Sequence, residues 1–263
     1  MAAIDITPVL KFMVEKNGSD LFFSTGASIH INIEGQTLPV NNQIMAPGMI
    51  KEVAYAMMSE DQIKEFEQNL EMNFAFGKRN LGRFRINVFR QRGEVAMVIR
   101  HIKSDIPSFE TLGLPSILKE LVLRQRGLIL VVGSTGSGKS TTLAAMINHR
   151  NETTPGHILT LEDPIEFMHD HKKSIVDQRE VGIDTLSFDN GLKNAMRQAP
   201  HVILIGEIRD MEGMKMAMAY AETGHLCLAT LHANNANQAV ERVISFFPQD
   251  GKEGLLLGLS LNL

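Results

Sequence analysis

Residues 133–140 read Gly-Ser-Thr-Gly-Ser-Gly-Lys-Ser and satisfy G-x-x-x-x-G-K-[ST] at every fixed position. An apolar run, Leu128–Val132, precedes them, and Leu143, Ala144 and Ile147 follow at helical spacing. That context predicts a phosphate-binding loop between a strand and a helix. Glycines let successive backbone N–H groups turn toward an oxyanion, and a helix N-terminus adds positive potential. Ser134, Thr135, Gly136, Ser137, Gly138, Lys139, Ser140 and Thr141 are the expected nucleotide contacts. Lys139 is expected on the β- and γ-phosphates and the Ser140 hydroxyl on Mg²⁺. A ligand-free glycine turn would not need both flanks and all fixed residues to agree.

Hydrolysis also needs a group to orient or deprotonate water. Two acidic segments follow apolar runs: Leu161-Glu162-Asp163-Pro164-Ile165-Glu166 and Val202-Ile203-Leu204-Ile205-Gly206-Glu207. Both fall where α/β sheets place ligands, at the C-terminal ends of strands. Gly206 occupies the position at which many phosphate-loop proteins carry an Asp directed at the metal. Glu207 is therefore the expected carboxylate nearest the γ-phosphate, reaching Mg²⁺ through water, with Glu166 second. Glu162 and Asp163 rank behind them.

His225 and His232 bracket the run Leu226–Leu231. The six residues between them place the two about 20 Å apart on an extended strand, too far to share a metal. His232 is either a structural histidine or, with Thr230, a γ-phosphate sensor, and spacing alone does not choose. His169 and His171 are expected to be solvated in a polar loop. Arg83 and Arg85 share one face of an alternating segment, Arg83–Phe89, whose Phe84, Ile86 and Val88 face inward. They are either exposed or lend charge to a phosphate, with Arg100, Arg179, Arg197 and Arg209 as further candidates. Met211, Met214, Met216 and Met218 are expected to pack a helix.

These groups need two scaffolds to carry them. Residues 1–103 read as a small α/β unit: a helix through Ile6, Val9, Leu10 and Met13, and short strands at Asp20–Phe23, Ile29–Ile33 and Thr37–Val40. Two helical stretches follow, Gly48–Met58 and Glu60–Leu70. Residues 104–115, with Pro107, Gly113 and Pro115, read as an interdomain linker. In residues 116–263, apolar runs without alternation are separated by helical stretches, which predicts a parallel sheet covered on both faces. The 263 residues suffice for two cores, and 26 basic against 30 acidic residues give −4, which argues against a broad nucleic-acid surface. The single cysteine, Cys227, allows no internal disulfide. No run nears the roughly 20 apolar residues of a membrane span. The N-terminus has no apolar core of a signal peptide, so a cytoplasmic protein is expected. The apolar end Leu255–Leu263 suggests that the natural chain continues.

Taken together, these motifs resemble the type IV pilus retraction ATPases of the secretion-ATPase superfamily, the PilT/PilU family, and its PilU type most. The resemblance runs from Gly18-Ser19-Asp20-Leu21 to Leu261. Gly133–Ser140 is similar to a Walker A motif, Glu162–Glu166 to an Asp box, Gly206–Asp210 to a Walker B box, and Thr223–His232 to a His box. Ala229–Gln238 carries the likeness to the PilU type. The resemblance implies a PAS-like N-terminal domain, a RecA-like ATPase domain and a hexameric ring that hydrolyses ATP with Mg²⁺ between subunits. It further implies a PilT-type partner and an inner-membrane pilus platform protein reached from the cytoplasmic side. Twitching motility is the implied output. Carried onto this sequence, Glu166 and Glu207 are the catalytic acids, His225 and His232 the His-box residues, and Arg83, Arg85 and Arg100 the arginines that approach nucleotide. The resemblance implies a catalytic role for His232, Arg83 and Arg85 and a nucleotide contact for His225. A nucleotide-gated accessory module with little hydrolysis is the alternative. A secretion or extension motor is disfavoured, because one cysteine cannot build a Cys₄ zinc insert. A small-molecule kinase is disfavoured for want of a lid.

Overall fold

The computed structural model describes residues 5–79 and 81–263. The chain divides into two units, Met1–Lys103 and Ser104–Leu263.

The first unit contains α1 (Thr7–Glu15), β1 (Asp20–Phe23), β2 (Ser28–Ile33), β3 (Gln36–Ile44), α2 (Met49–Met57), α3 (Glu60–Asn69), β4 (Glu71–Lys78), β5 (Gly82–Gln91) and β6 (Glu94–Ile102). The strands form one antiparallel sheet in the order β3-β2-β1-β6-β5-β4. Strand periodicity sorts β5: Phe84, Ile86 and Val88 are fully buried against a core that includes Leu10 and Met13 of α1, while Arg83, Arg85 and Asn87 take the other face. α3 starts on a reciprocal capping box between Ser59 and Gln62. The strand expected at Thr37–Val40 runs longer, Gln36–Ile44, and β4 is an additional strand. Its alternation, Met72 and Phe74 buried and Glu71 and Asn73 exposed, is that of a half-buried edge strand.

The second unit contains α4 (Ile117–Leu121), β7 (Gly127–Val132), α5 (Lys139–Thr153), β8 (Gly156–Glu162), β9 (Ser174–Glu180), α6 (Phe188–Ala195), β10 (Val202–Ile205), α7 (Met211–Glu222), β11 (Leu226–Leu231), α8 (Ala236–Ser245) and α9 (Lys252–Asn262). Its five strands are all parallel, in the order β7-β11-β10-β8-β9. Leu159, Leu161, Ile203, Ile205, Cys227 and Ala229 pack on the side of α6 and α7. Ile158, Val176, Val202, Leu204, Leu226 and Leu228 pack on the side of α5. Both faces are therefore covered, which is why these strands lack alternation. Residues 104–115, expected as a linker, bring Phe109, Leu112 and Leu114 into this second core.

On the α5 side three of the five strands change character along their length. Ile158 gives way to Thr160 and Glu162, Val176 to Gln178, and Leu226 and Leu228 to Thr230. The apolar part packs the helix, and the polar part faces the end of the sheet where the loop 133–138 lies.

Candidate nucleotide site

The loop leaves β7 after Val132. Gly136 and Gly138 hold φ of +76° and +91°, backbone conformations that side-chain-bearing residues rarely adopt. Gly138 caps α5 directly. A Cβ on Gly133 would lie 3.2 Å from the Ser137 Cβ and closer still to its hydroxyl, so this glycine lets the loop close on itself. Lys139 bends back along the loop, and its Nζ donates to the carbonyls of Gly133 (3.0 Å) and Ser134 (2.9 Å). Ser134–Gly138 are exposed, and Ser140 and Thr141 occupy the first turn of α5.

Gly206 is sewn between neighbouring strands. Its N–H donates to the Leu161 carbonyl at 2.7 Å, and its carbonyl accepts from the Thr230 hydroxyl. A Cβ there would meet the Leu161 carbonyl oxygen and the Glu162 Cα, each at 3.1 Å. A side chain there would crowd the backbone of β8, and the carboxylate stands one residue later, at Glu207. Its Oε2 accepts from Arg209 Nε (2.7 Å), and its Oε1 lies 3.1 Å from His232 Nε2. Arg209 also pairs with Asp163 (3.3 Å) and lies 6.0 Å from the Phe188 ring centroid. Its bond to Glu207 raises the guanidinium's pKa above its ordinary value.

Glu162, at the end of β8, has only neutral side-chain partners. Its Oε1 accepts from Thr160 Oγ1 (2.7 Å) and Gln178 Nε2 (3.3 Å). Burial pushes its pKa up to about 7, against the opposing pull of those bonds. A carboxyl near neutrality can give or take a proton at physiological pH.

The loop, Glu162, Glu166, Glu207 and His232 all line one cleft of about 410 Å³. Glu166 is exposed at its rim. His169, expected to be solvated, is instead a buried wall of that cleft at 9% exposure. Its Nδ1 has no hydrogen-bond partner, and burial depresses its pKa to about 4. His171 is exposed and accepts the Val176 N–H at 3.1 Å.

The geometry does not bring His225 to this cleft. Its carbonyl accepts from Gly127 N–H at the start of β7, and its Nδ1 lies 3.2 Å from both the Tyr220 carbonyl and the Thr223 hydroxyl. The full length of β7, about 20 Å, separates it from the phosphate loop. Arg83, Arg85 and Arg100 belong to the first unit. Arg85 and Arg100 are register partners on β5 and β6, and Arg100 Nε bonds Asp20 at 2.7 Å. Met214 and Met218 of α7 are buried core, as the helical packing expectation requires.

Sequence reasoning passes over Thr160, Gln178 and the burial of His169. The change from apolar to polar at alternate positions of β8 and β9 is the signal that would find the first two.

Among the described residues no helix is long and apolar enough to cross a membrane. Residues 2–252 match the family described as Type II/IV secretion system protein. The chain is 52% identical over 260 residues to the type IV pilus ATPase PilU of Pseudomonas aeruginosa, covering 99% of this chain and 68% of that protein. It is 43% identical to the type IV pilus retraction ATPase PilT of the same organism, covering 95% and 72%. The crystal structure of the pilus retraction motor PilT with bound ADP superposes with a TM-score of 0.93 at 44% identity, covering 99% of this chain and 76% of that one. The Legionella pneumophila ATPase DotB gives 0.82 at 27% identity, covering 97% and 72%. The phosphate loop, the parallel sheet that presents it and these likenesses agree: the chain belongs to the type II/IV secretion system protein family, as a type IV pilus ATPase of the PilT/PilU kind.

Proposed function

We propose that this chain hydrolyses ATP, as one subunit of a hexameric ring, to drive retraction of a type IV pilus. The observation that carries the reading is the convergence of the phosphate loop, Glu162, Glu166 and Glu207 on one cleft. The exposed loop amides and the α5 N-terminus suit the β- and γ-phosphates. Lys139 exchanges its bonds to Gly133 and Ser134 for phosphate oxygens. Glu207 orients or deprotonates the attacking water, held in place by Arg209 and His232, and Glu166 is the second acid. Ser140 and Glu207 offer the hydroxyl and carboxylate oxygens that Mg²⁺ takes beside phosphates and waters, and Mg²⁺ when bound neutralises charge developing on the phosphates.

Arg83, Arg85 and Arg100 act on nucleotide held by a neighbouring subunit, where a guanidinium offsets the charge of phosphoryl transfer. His225, remote from the cleft of its own subunit, belongs to the His box without touching that nucleotide. A PilT-type motor and an inner-membrane pilus platform protein are the partners, met on the cytoplasmic side. No nucleic acid is involved.

The test is steady-state ATP hydrolysis by the full chain, alone and with a PilT-type partner. Arg83→Ala and Glu207→Gln proteins are each expected to be inactive, and mixing them is expected to restore part of the rate. Absence of complementation removes the arginine from the neighbour's site. Hydrolysis unaltered by Lys139→Ala removes the whole assignment.

A further inference from the structure

One uncharged side chain ties together parts of the cleft that the strands alone do not connect. Gln178 lies on β9, in register with Thr160 on β8. Its Oε1 accepts the backbone N–H of His169 at 2.8 Å. Its Nε2 donates to the Phe167 carbonyl at 2.8 Å and to Glu162 Oε1 at 3.3 Å. Thr160 Oγ1 donates to the same carboxylate oxygen at 2.7 Å. Donor and acceptor ends of one amide are thus both in use. A methionine would fill the same volume and make none of these bonds, so packing alone does not account for the residue.

The segment so held, 163–169, contributes Glu166, Phe167 and His169 to the cleft. It has other anchors: the Ile165 N–H donates to Glu180 at 3.3 Å, and the Asp170 carbonyl accepts from Asn151 at 2.7 Å. Loss of Gln178 would therefore loosen the middle of the segment without detaching its ends. We propose that Gln178 is a positioning residue for ATP hydrolysis, its amide setting the Glu162 carboxyl and the turn that carries Glu166 against the phosphate loop. This rests on the reading that the cleft hydrolyses ATP.

The experiment compares the wild-type full chain with Gln178→Met, Gln178→Glu, Glu162→Gln and the double variant Gln178→Met/Glu162→Gln. It reads steady-state ATPase rates and the affinity for a fluorescent ATP analogue. Gln178→Met is expected to lower kcat about 10- to 100-fold while KM for ATP stays within about threefold, because the substrate still binds but the acids are misplaced. The double variant is expected to lose less than the product of the two single losses, since one residue acts through the other. Gln178→Glu keeps an acceptor for His169 but loses both donor bonds, and it is expected to lose at least as much kcat. This variant decides the matter if Gln178→Met does not fold. A kcat within about twofold of wild type, a loss carried by KM, or single losses that multiply overturns the proposal. Lys139→Ala in the same assay separates the two readings. If it hydrolyses ATP normally, the cleft assignment and the proposal both fall; if it is dead and the Gln178 variants are normal, only the proposal falls.

Discussion

Glu207 and Glu162 stand at the C-terminal ends of hydrogen-bonded neighbours, β10 and β8, and line the same cleft, yet their partners differ in kind. Glu207 is gripped by the Arg209 guanidinium and the His232 imidazole. Glu162 is gripped by a hydroxyl and an amide, and burial holds its pKa near 7. A guanidinium grips a carboxylate with charge-assisted bonds; neutral partners fix its position while burial favours its protonated form. One cleft thus contains an acid gripped by a guanidinium and an imidazole, and another, buried among neutral partners, whose proton can come and go near neutrality.

The strongest way to break the contrast is Glu207→Gln. We expect turnover to fall ~10²–10⁴-fold while ATP still binds, as seen by comparing hydrolysis with nucleotide affinity. If Glu162→Gln proved as damaging and Glu207→Gln mild, the two roles would be reversed.

The second prediction concerns stability. The folded pKa of Glu162, about 7, lies above its ordinary 4.5, so between these values the folded state binds the extra proton. The stability this confers is complete below pH 4.5 and lost as pH rises through 7. Relative to wild type, Glu162→Gln is expected to gain up to ~3 kcal/mol between pH 4.5 and 8, measured by denaturant unfolding at each pH. A constant difference would show that Glu162 ionises as freely folded as unfolded.

Next in size, Arg209→Ala releases both Glu207 and Asp163, and kcat is expected to fall ~10- to 100-fold through misplacement of the acid. High salt should weaken the wild type in the same direction and leave the variant little changed.

The smallest effect compares the two ends of β11. His232→Ala removes one bond to Glu207 and is expected to cost about tenfold in kcat. His225→Ala, at the far end, is expected to leave ATP affinity of the subunit within about threefold. Equal losses of affinity would place His225 nearer the nucleotide than its position beside Gly127 allows.

The phosphate loop was readable from sequence because its chemistry is local: each glycine, Lys139 and Ser140 act within one turn of chain. The buried strands were readable because runs such as Val202–Ile205 must be apolar on both faces. β4 and β9 escaped for a physical reason. Each is an edge strand; β4 is bracketed by charged residues, and β9 buries Ser174 while exposing Ile175, so its polarity does not follow its burial. The burial of His169 was likewise invisible. Its sequence neighbours, Asp170, His171 and Lys172, are polar and exposed, and only the fold of 163–169 over the cleft encloses it. Gln178 is silent in sequence because its three partners come from residues 9 to 16 positions away.

The crowding at Gly206 has a mechanical corollary. An acid on that residue would be rooted in the sheet, as immobile as the strand beneath it. Displaced by one position, the acid sits on unladdered chain, and its aim depends on side chains from three separate segments: Arg209, His232 and, through Arg209, Asp163. Any rearrangement that shifts one of them re-aims the acid. The missing Cβ of one glycine thereby turns a fixed fitting into an adjustable one.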